Sequence, residues 1–165
     1  MLVNIALPSS IALLAGVLAA SGPEKPPQTV GSLSVVVNSK NATSNLSKRQ
    51  LKKILRGESR DWKALSKRVQ LVLPTSKLPA RGILEQRVYF TRISRHFRKA
   101  AYRQTGGKPL FRKEPAALQL VKSNPAAIAV VPTSMLGEDP TLKVVTIDKK
   151  KPGSTGYFLN SSVIK

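Results

Sequence analysis

The sequence predicts an α/β protein, a mixed β-sheet flanked by helices. Three observations carry that expectation. β-Branched runs suited to buried strands recur along the chain, as "LSVVVN" (33–38), "AIAVV" (127–131) and "LKVVTI" (142–147). Segments with helical spacing lie between them, the clearest with signals at both of its ends. Strands alternating with helices in this way point to a layered α/β architecture.

The bulk numbers fit one such domain. The chain has 165 residues, 41% of them hydrophobic, enough for a single real core. With 28 Lys+Arg against 8 Asp+Glu, the formal charge is +20. That excess favours acidic partners: phosphate-bearing ligands, nucleic acid, or an anionic membrane or envelope surface. Equally, it could serve only to keep an exported protein in solution. The absence of Cys excludes disulfides and thiolate metal sites.

The amino terminus reads "MLVNIALPSSIALLAGVLAASG" and carries no charged side chain before Glu24. The apolar run 11–20 ends in Ala19, Ala20 and Ser21, the pattern of a secretory signal with cleavage after Ser21. Asn4, Pro8, Ser9 and Ser10 break the apolar stretch that precedes this run, which speaks against a membrane span. The expected organisation is a signal peptide at 1–21, a Pro-rich spacer at 22–31 and an α/β domain at 32–165, located in the periplasm or secreted.

Within the domain, 33–38 reads as the first buried strand. "LSKRQLKKILRG" follows, with Ser47 as N-cap and Gln50 three residues on, a capping box. Leu46 and Leu51 take the staple positions. Leu51, Ile54 and Leu55 give the apolar stripe, and Gly57 supplies a left-handed end. Lys48, Arg49, Lys52, Lys53 and Arg56 cover the other faces. Two of them oppose the helix dipole in the first turn, so this charge is not arranged for helix stability. A loop carries Trp62, the only Trp. "VQLVL" (69–73) is the second strand, "PTSKLPARG" turns the chain, and "ILEQRVYF" begins a helix with Leu84 and Val88 four apart. Ser94 reads as a new N-cap for "RHFRKAAYR", with Phe97 and Ala101 on one face, and "TGGKPL" as a turn. "EPAALQLVKSN" is a short helix with Pro115 in its first turn, ending at Asn124. Strand 127–131 then runs into Pro132, Thr133 and Ser134. Strand 142–147 follows, and "YFLNSSVIK" at the end is expected to add an edge strand.

The order of these pieces resembles the phosphate-binding-protein-like domain of the type 2 periplasmic binding proteins, in particular short, single-lobe exported members. The pattern V-V-V-N-x-x-N falls on Val35 to Asn41. The "LS-x-x-x-L-x-x-I-(F/L)-x-G" helix falls on Leu46-Ser47 through Leu51, Ile54, Leu55 and Gly57, with Trp62 after it. A strand and polar loop lead to Arg81, a Thr-Gly turn falls on Thr105-Gly106, and "N/T-P-G-A-I-G-Y-V" falls on Asn124 to Val131. Ala126 and Ala129 replace the glycines of that last pattern, Val130 its aromatic, Tyr102 the Trp before the Thr-Gly turn, and Leu84 the Phe expected after Arg81. The resemblance implies a single lobe with a mixed sheet flanked by helices, binding phosphate or another oxyanion, and a link to phosphate ABC transport.

In such sheets ligands gather outside the carboxyl ends of strands. The candidate ligand residues are therefore Asn38 and Ser39, Thr75 and Ser76 with Arg81, and Thr133 and Ser134. Hydroxyls donate to a tetrahedral oxyanion, and a guanidinium can fork onto one. A second candidate surface is a basic stripe of Arg92, Arg95, Lys99 and Arg103, which share a narrow arc if 92–103 is one helix. "TGGKP" is not a P-loop, because Pro109 follows Lys108 and Tyr102 holds the first Gly position. His96 is the only His, the acids are scattered, and no nucleophile–base set is legible, so neither an enzyme nor a metal or cofactor site is expected. A lobe that grips a ligand from one side leaves much of its hydration in place, so a second lobe or protein partner is expected to close the site. The different reading is an envelope protein-interaction or polyanion-binding module that has lost small-ligand binding. Export and an aromatic content of 5% speak against nucleic acid as the partner.

Overall fold

In the computed structural model the described residues are 31–62, 65–97 and 109–161. The expected signal peptide, the spacer apart from Gly31, and the Thr105-Gly106 turn lie outside them. In chain order the elements are β1 (Leu33–Asn38), β2 (Asn45–Leu46), α1 (Lys48–Leu55), β3 (Asp61–Trp62), β4 (Lys67–Arg68), β5 (Gln70–Pro74) and α2 (Pro79–Leu84). A π-helical segment (Glu85–Tyr89), α3 (Ile93–His96), β6 (Leu110–Arg112), α4 (Glu114–Ser123), β7 (Ala127–Pro132), a 3₁₀ turn (Thr133–Met135) and β8 (Leu142–Ile147) follow.

Six strands form one mixed sheet in the order β2-β8-β1-β7-β5-β6, and β3 pairs with β4 in a separate hairpin. β1 is antiparallel to both of its neighbours, β7 and β8. β5 is parallel to β7 and to β6, and β2 to β8. One end of the sheet therefore gathers the carboxyl ends of β5, β6, β7 and β8 with the amino end of β1. The carboxyl end of β1 lies at the other.

The period-two alternation of the strands divides the core. Val35, Val37, Ile128, Val130, Leu71 and Leu73 face α1 and α2 with Trp62, Tyr157 and Leu159. Val36, Ala127, Ala129, Val131 and Val72 face Ala117 and Val121 of α4. The small side chains at 127 and 129 let α4 lie close to the sheet. The central strands β1 and β7 are buried along their whole lengths, which is why both read as largely apolar runs, interrupted in β1 by Ser34.

α1 forms as its sequence dictates. The Ser47 hydroxyl accepts from the Gln50 N–H, and the Gln50 side chain accepts from the Ser47 N–H. Gly57 takes φ 72° at the far end, where a side chain would be strained. The Tyr89 hydroxyl donates to the Leu55 carbonyl at 2.5 Å, and the Arg56 guanidinium donates twice to the Val88 carbonyl. These bonds tie the end of α1 to the π-helical segment.

Several expectations need correction. The helix expected to begin near Ile83 starts at Pro79, whose missing N–H costs nothing in a first turn. It ends on Phe90, in the left-handed region at φ 54°. Ser94 is not an N-cap: Arg92 precedes α3, and the Glu85 carboxylate accepts from the Ile93 N–H at 2.8 Å, satisfying a donor of that helix start from eight residues upstream. The segment around Trp62 holds the β3–β4 hairpin rather than a plain loop, and β6 begins where "TGGKPL" read as a turn. Of the carboxyl-terminal segment, the described residues 157–161 contribute one bridge, Asn160 to Ser32, and the rest of the expected edge strand lies outside the described residues.

Candidate functional site

The end of β7 and the start of β1 meet in a cluster of hydroxyls. β7 runs into Thr133, and antiparallel pairing sets Leu33 opposite Pro132 and Ser34 opposite Val131. The Thr133 Oγ1 is thereby 2.8 Å from Ser32 Oγ and 2.9 Å from Ser34 Oγ. It also donates to the Ser32 carbonyl at 3.0 Å, as does the Thr133 N–H. With its proton on that carbonyl, Thr133 can accept from both serines. Ser34 is fully buried and Ser32 nearly so. Ser134, the next residue, is exposed.

β5 emerges at the same end. Thr75 is half-buried and Ser76 exposed in the turn that follows it. Arg81, only 9% exposed, sits over this end: its Nη1 lies 3.5 Å from the Pro74 carbonyl, and its guanidinium stacks 5.1 Å from the Phe111 ring of β6. Its Nε donates to Glu85 Oε1 at 3.1 Å. The charge is thus held in a fixed orientation and partly balanced by Glu85.

Thr75, Ser76, Arg81, Thr133 and Ser134 consequently share one end of the sheet. Asn38 and Ser39 do not join them, because β1 runs against β5 and β7. The Asn38 amide donates instead to the Val121 and Lys122 carbonyls at 3.0 and 2.8 Å, capping the end of α4. The Asn41 amide donates to the Pro125 carbonyl at 3.1 Å. The V-V-V-N-x-x-N spacing therefore fastens the end of β1 to the junction between α4 and β7. Ser39 is exposed, with its N–H on the Thr141 carbonyl.

Of the basic stripe, only Arg92 and Arg95 lie among the described residues. Arg92 lies outside α3 in extended backbone while Arg95 lies inside it, so the two do not follow one helical arc; both are exposed. Lys99 and Arg103 lie outside the described residues. His96 faces the Arg56 carbonyl at 3.0 Å and meets Tyr89 and Phe97 edge-on, a packed position. Among the described residues no cluster of His, Asp and Glu could hold a metal ion.

Ser32 and Ser34 are the site residues that the sequence reading missed. The available signal was a serine inside a buried β-branched run, since a hydroxyl in a core strand needs a partner.

The fold has solved counterparts. An ABC-type phosphate transport receptor from Vibrio cholerae superposes with a TM-score of 0.59 at 19% identity, over 75% of this chain and 50% of that one. PstS from Borrelia burgdorferi does so with a TM-score of 0.58 at 14% identity, over 73% and 49%. The chain thus has a phosphate-receptor-like, periplasmic-binding-protein-like α/β fold and spans about half the length of these proteins. No protein-family model and no curated protein sequence matches it.

Proposed function

We propose that the chain is an exported, periplasmic-binding-protein-like module that binds phosphate or a similar oxyanion and serves a phosphate-transport system from the periplasm or as a secreted protein. It acts by binding, not by catalysis. The observation that carries this reading is the hydroxyl cluster of Ser32, Ser34 and Thr133 at the carboxyl end of β7, beside the Thr75-Ser76 turn and the oriented Arg81 guanidinium.

An oxyanion there would draw donors from Thr133, Ser134, Thr75 and Ser76, with Arg81 supplying the charge. The net charge of +20 steers anions toward the chain from a distance. Binding from one face leaves part of the hydration shell in place, so the lobe holds its ligand weakly until a second lobe or a partner protein covers it. Titration with phosphate and sulfate tests the reading: heats that vanish in Arg81→Gln support it, and heats unchanged in that variant refute it.

One observation favours the other reading, a module that has given up small ligands and engages an envelope protein or a polyanion. The hydroxyls of Ser32, Ser34 and Thr133 already satisfy one another, and Arg81 is already paired with Glu85. An entering anion must break these contacts. In that case phosphate gives no heat, and Arg81→Gln lowers stability instead.

A further inference from the structure

The charge on α1 has a counterpart across a cleft. Between Lys48 and Arg56 the chain carries five cations and no acid. Lys48, Lys52 and Arg56 fall four residues apart along one side of the helix, about 6 Å per step. Lys48 and Lys52 face Phe90, Phe158 and Arg87 and, with Gln86, line a cleft of about 330 Å³. Lys52 approaches both rings, its Nζ 4.8 Å from that of Phe90 and 5.3 Å from that of Phe158. Lys48 lies 4.8 Å from the Phe158 ring.

Phe90 is the unusual member. It caps the end of the π-helical segment, in a left-handed conformation at φ 54° that suits glycine, and is 70% exposed. The free protein therefore bears backbone strain at this position and holds an aromatic ring out in water. Burial, and after it crowding by Lys48 and Arg56, holds the Lys52 ammonium below its ordinary lysine range, and a neighbouring negative charge would offset the crowding.

We propose that this face docks on an anionic lipid bilayer, with Phe90 entering the headgroup–acyl boundary and Lys48 and Lys52 reaching lipid phosphates. The chemistry favours this occupant. An exposed apolar ring surrounded by long basic side chains is the arrangement that interfacial anchors use, the ring buried and the cations at headgroup level. A protein partner fits less well, since lysine is depleted from protein–protein interface cores. Single-stranded nucleic acid fits less well too, because Lys48 and Lys52 already approach the rings on which bases would stack.

Co-sedimentation of the full chain with phosphatidylglycerol-containing vesicles, against pure phosphatidylcholine vesicles, tests the proposal. Binding is expected only to the anionic vesicles and is expected to fall with salt. Lys48→Gln with Lys52→Gln should weaken it about thirtyfold. Phe90→Gly should also weaken it without lowering the melting temperature, because glycine accepts φ 54°. Equal partition into both vesicle types overturns the proposal, as does undiminished binding by the lysine variant, whose surface substitutions leave folding intact. A short DNA duplex is the soluble control: if Phe90→Gly weakens DNA binding as much as vesicle binding, the face reads polyanions and the bilayer assignment falls.

Discussion

The Thr133 hydroxyl lies 2.8 Å from that of Ser32, although 101 residues separate them in the chain. The contact exists because β1 and β7 are antiparallel neighbours, which brings the start of one strand to the end of the other. It makes Thr133 the hub of the hydroxyl cluster.

Removing the hub has a structural cost that can be measured apart from ligand binding. Thr133→Val leaves the fully buried Ser34 hydroxyl without its partner and should destabilise the fold by about 1–3 kcal/mol in urea denaturation. Adding Ser34→Ala removes the orphaned group, so the double variant should lose less than the sum of the singles. Full additivity would show that the two hydroxyls do not depend on each other.

Ile128 is the most sensitive test of the core. It is fully buried in β7, with Val37 opposite it on β1 and Leu71 on β5. Ile128→Asp would place an unpaired carboxylate in the middle of the sheet and should cost several kcal/mol, enough to unfold a marginal domain. A melting temperature near that of the wild type would contradict the strand order.

Trp62 reports on folding as the only Trp. Its indole N–H donates to the Ala126 carbonyl at 2.9 Å, which also accepts from the Gln70 N–H. Trp62→Phe therefore leaves that carbonyl satisfied and should cost only about 1 kcal/mol for the lost bond, plus the packing of the larger ring.

On the acid side, Asp139 gives the fold a local pH dependence. Hydrogen bonds from the Lys122 ammonium, at 2.7 Å, and from Thr141 hold the Asp139 carboxyl down to about 2, against 3.8 ordinarily. Because the folded value is the lower one, the stabilisation is fully present above the ordinary value and is lost as pH falls through about 2. Lys122→Met should move the Asp139 titration, followed by NMR, back up toward the ordinary range. No movement would mean that the ion pair does not form in solution.

Much of this fold was legible because local and tertiary preferences agree. Ser47, Gln50 and Gly57 specify α1 without help from the rest of the chain, and the valines of 35–37 suit only a buried strand. The short elements were not legible. Asp61–Trp62, Lys67–Arg68 and Leu110–Arg112 are too brief to carry a period and exist through their pairing partners. Strand direction leaves no mark in a run of valines, so the sequence alone groups Asn38 with Thr133 although the two lie at opposite ends of the sheet. Glu85 capping α3 in place of Ser94 was hidden for a related reason: it reaches a helix start through a turn in the chain.

Calorimetric titration with inorganic phosphate, run side by side on the wild type, Arg81→Gln and Thr133→Val, tests the central claim most directly. Circular dichroism first confirms that each variant is folded. The account predicts weak saturable binding by the wild type, competed by sulfate, and a loss of about tenfold or more in each variant, since each removes a charged or hydroxyl donor from the same end of the sheet. No heat with the wild type, or equal affinity in all three proteins, would contradict it.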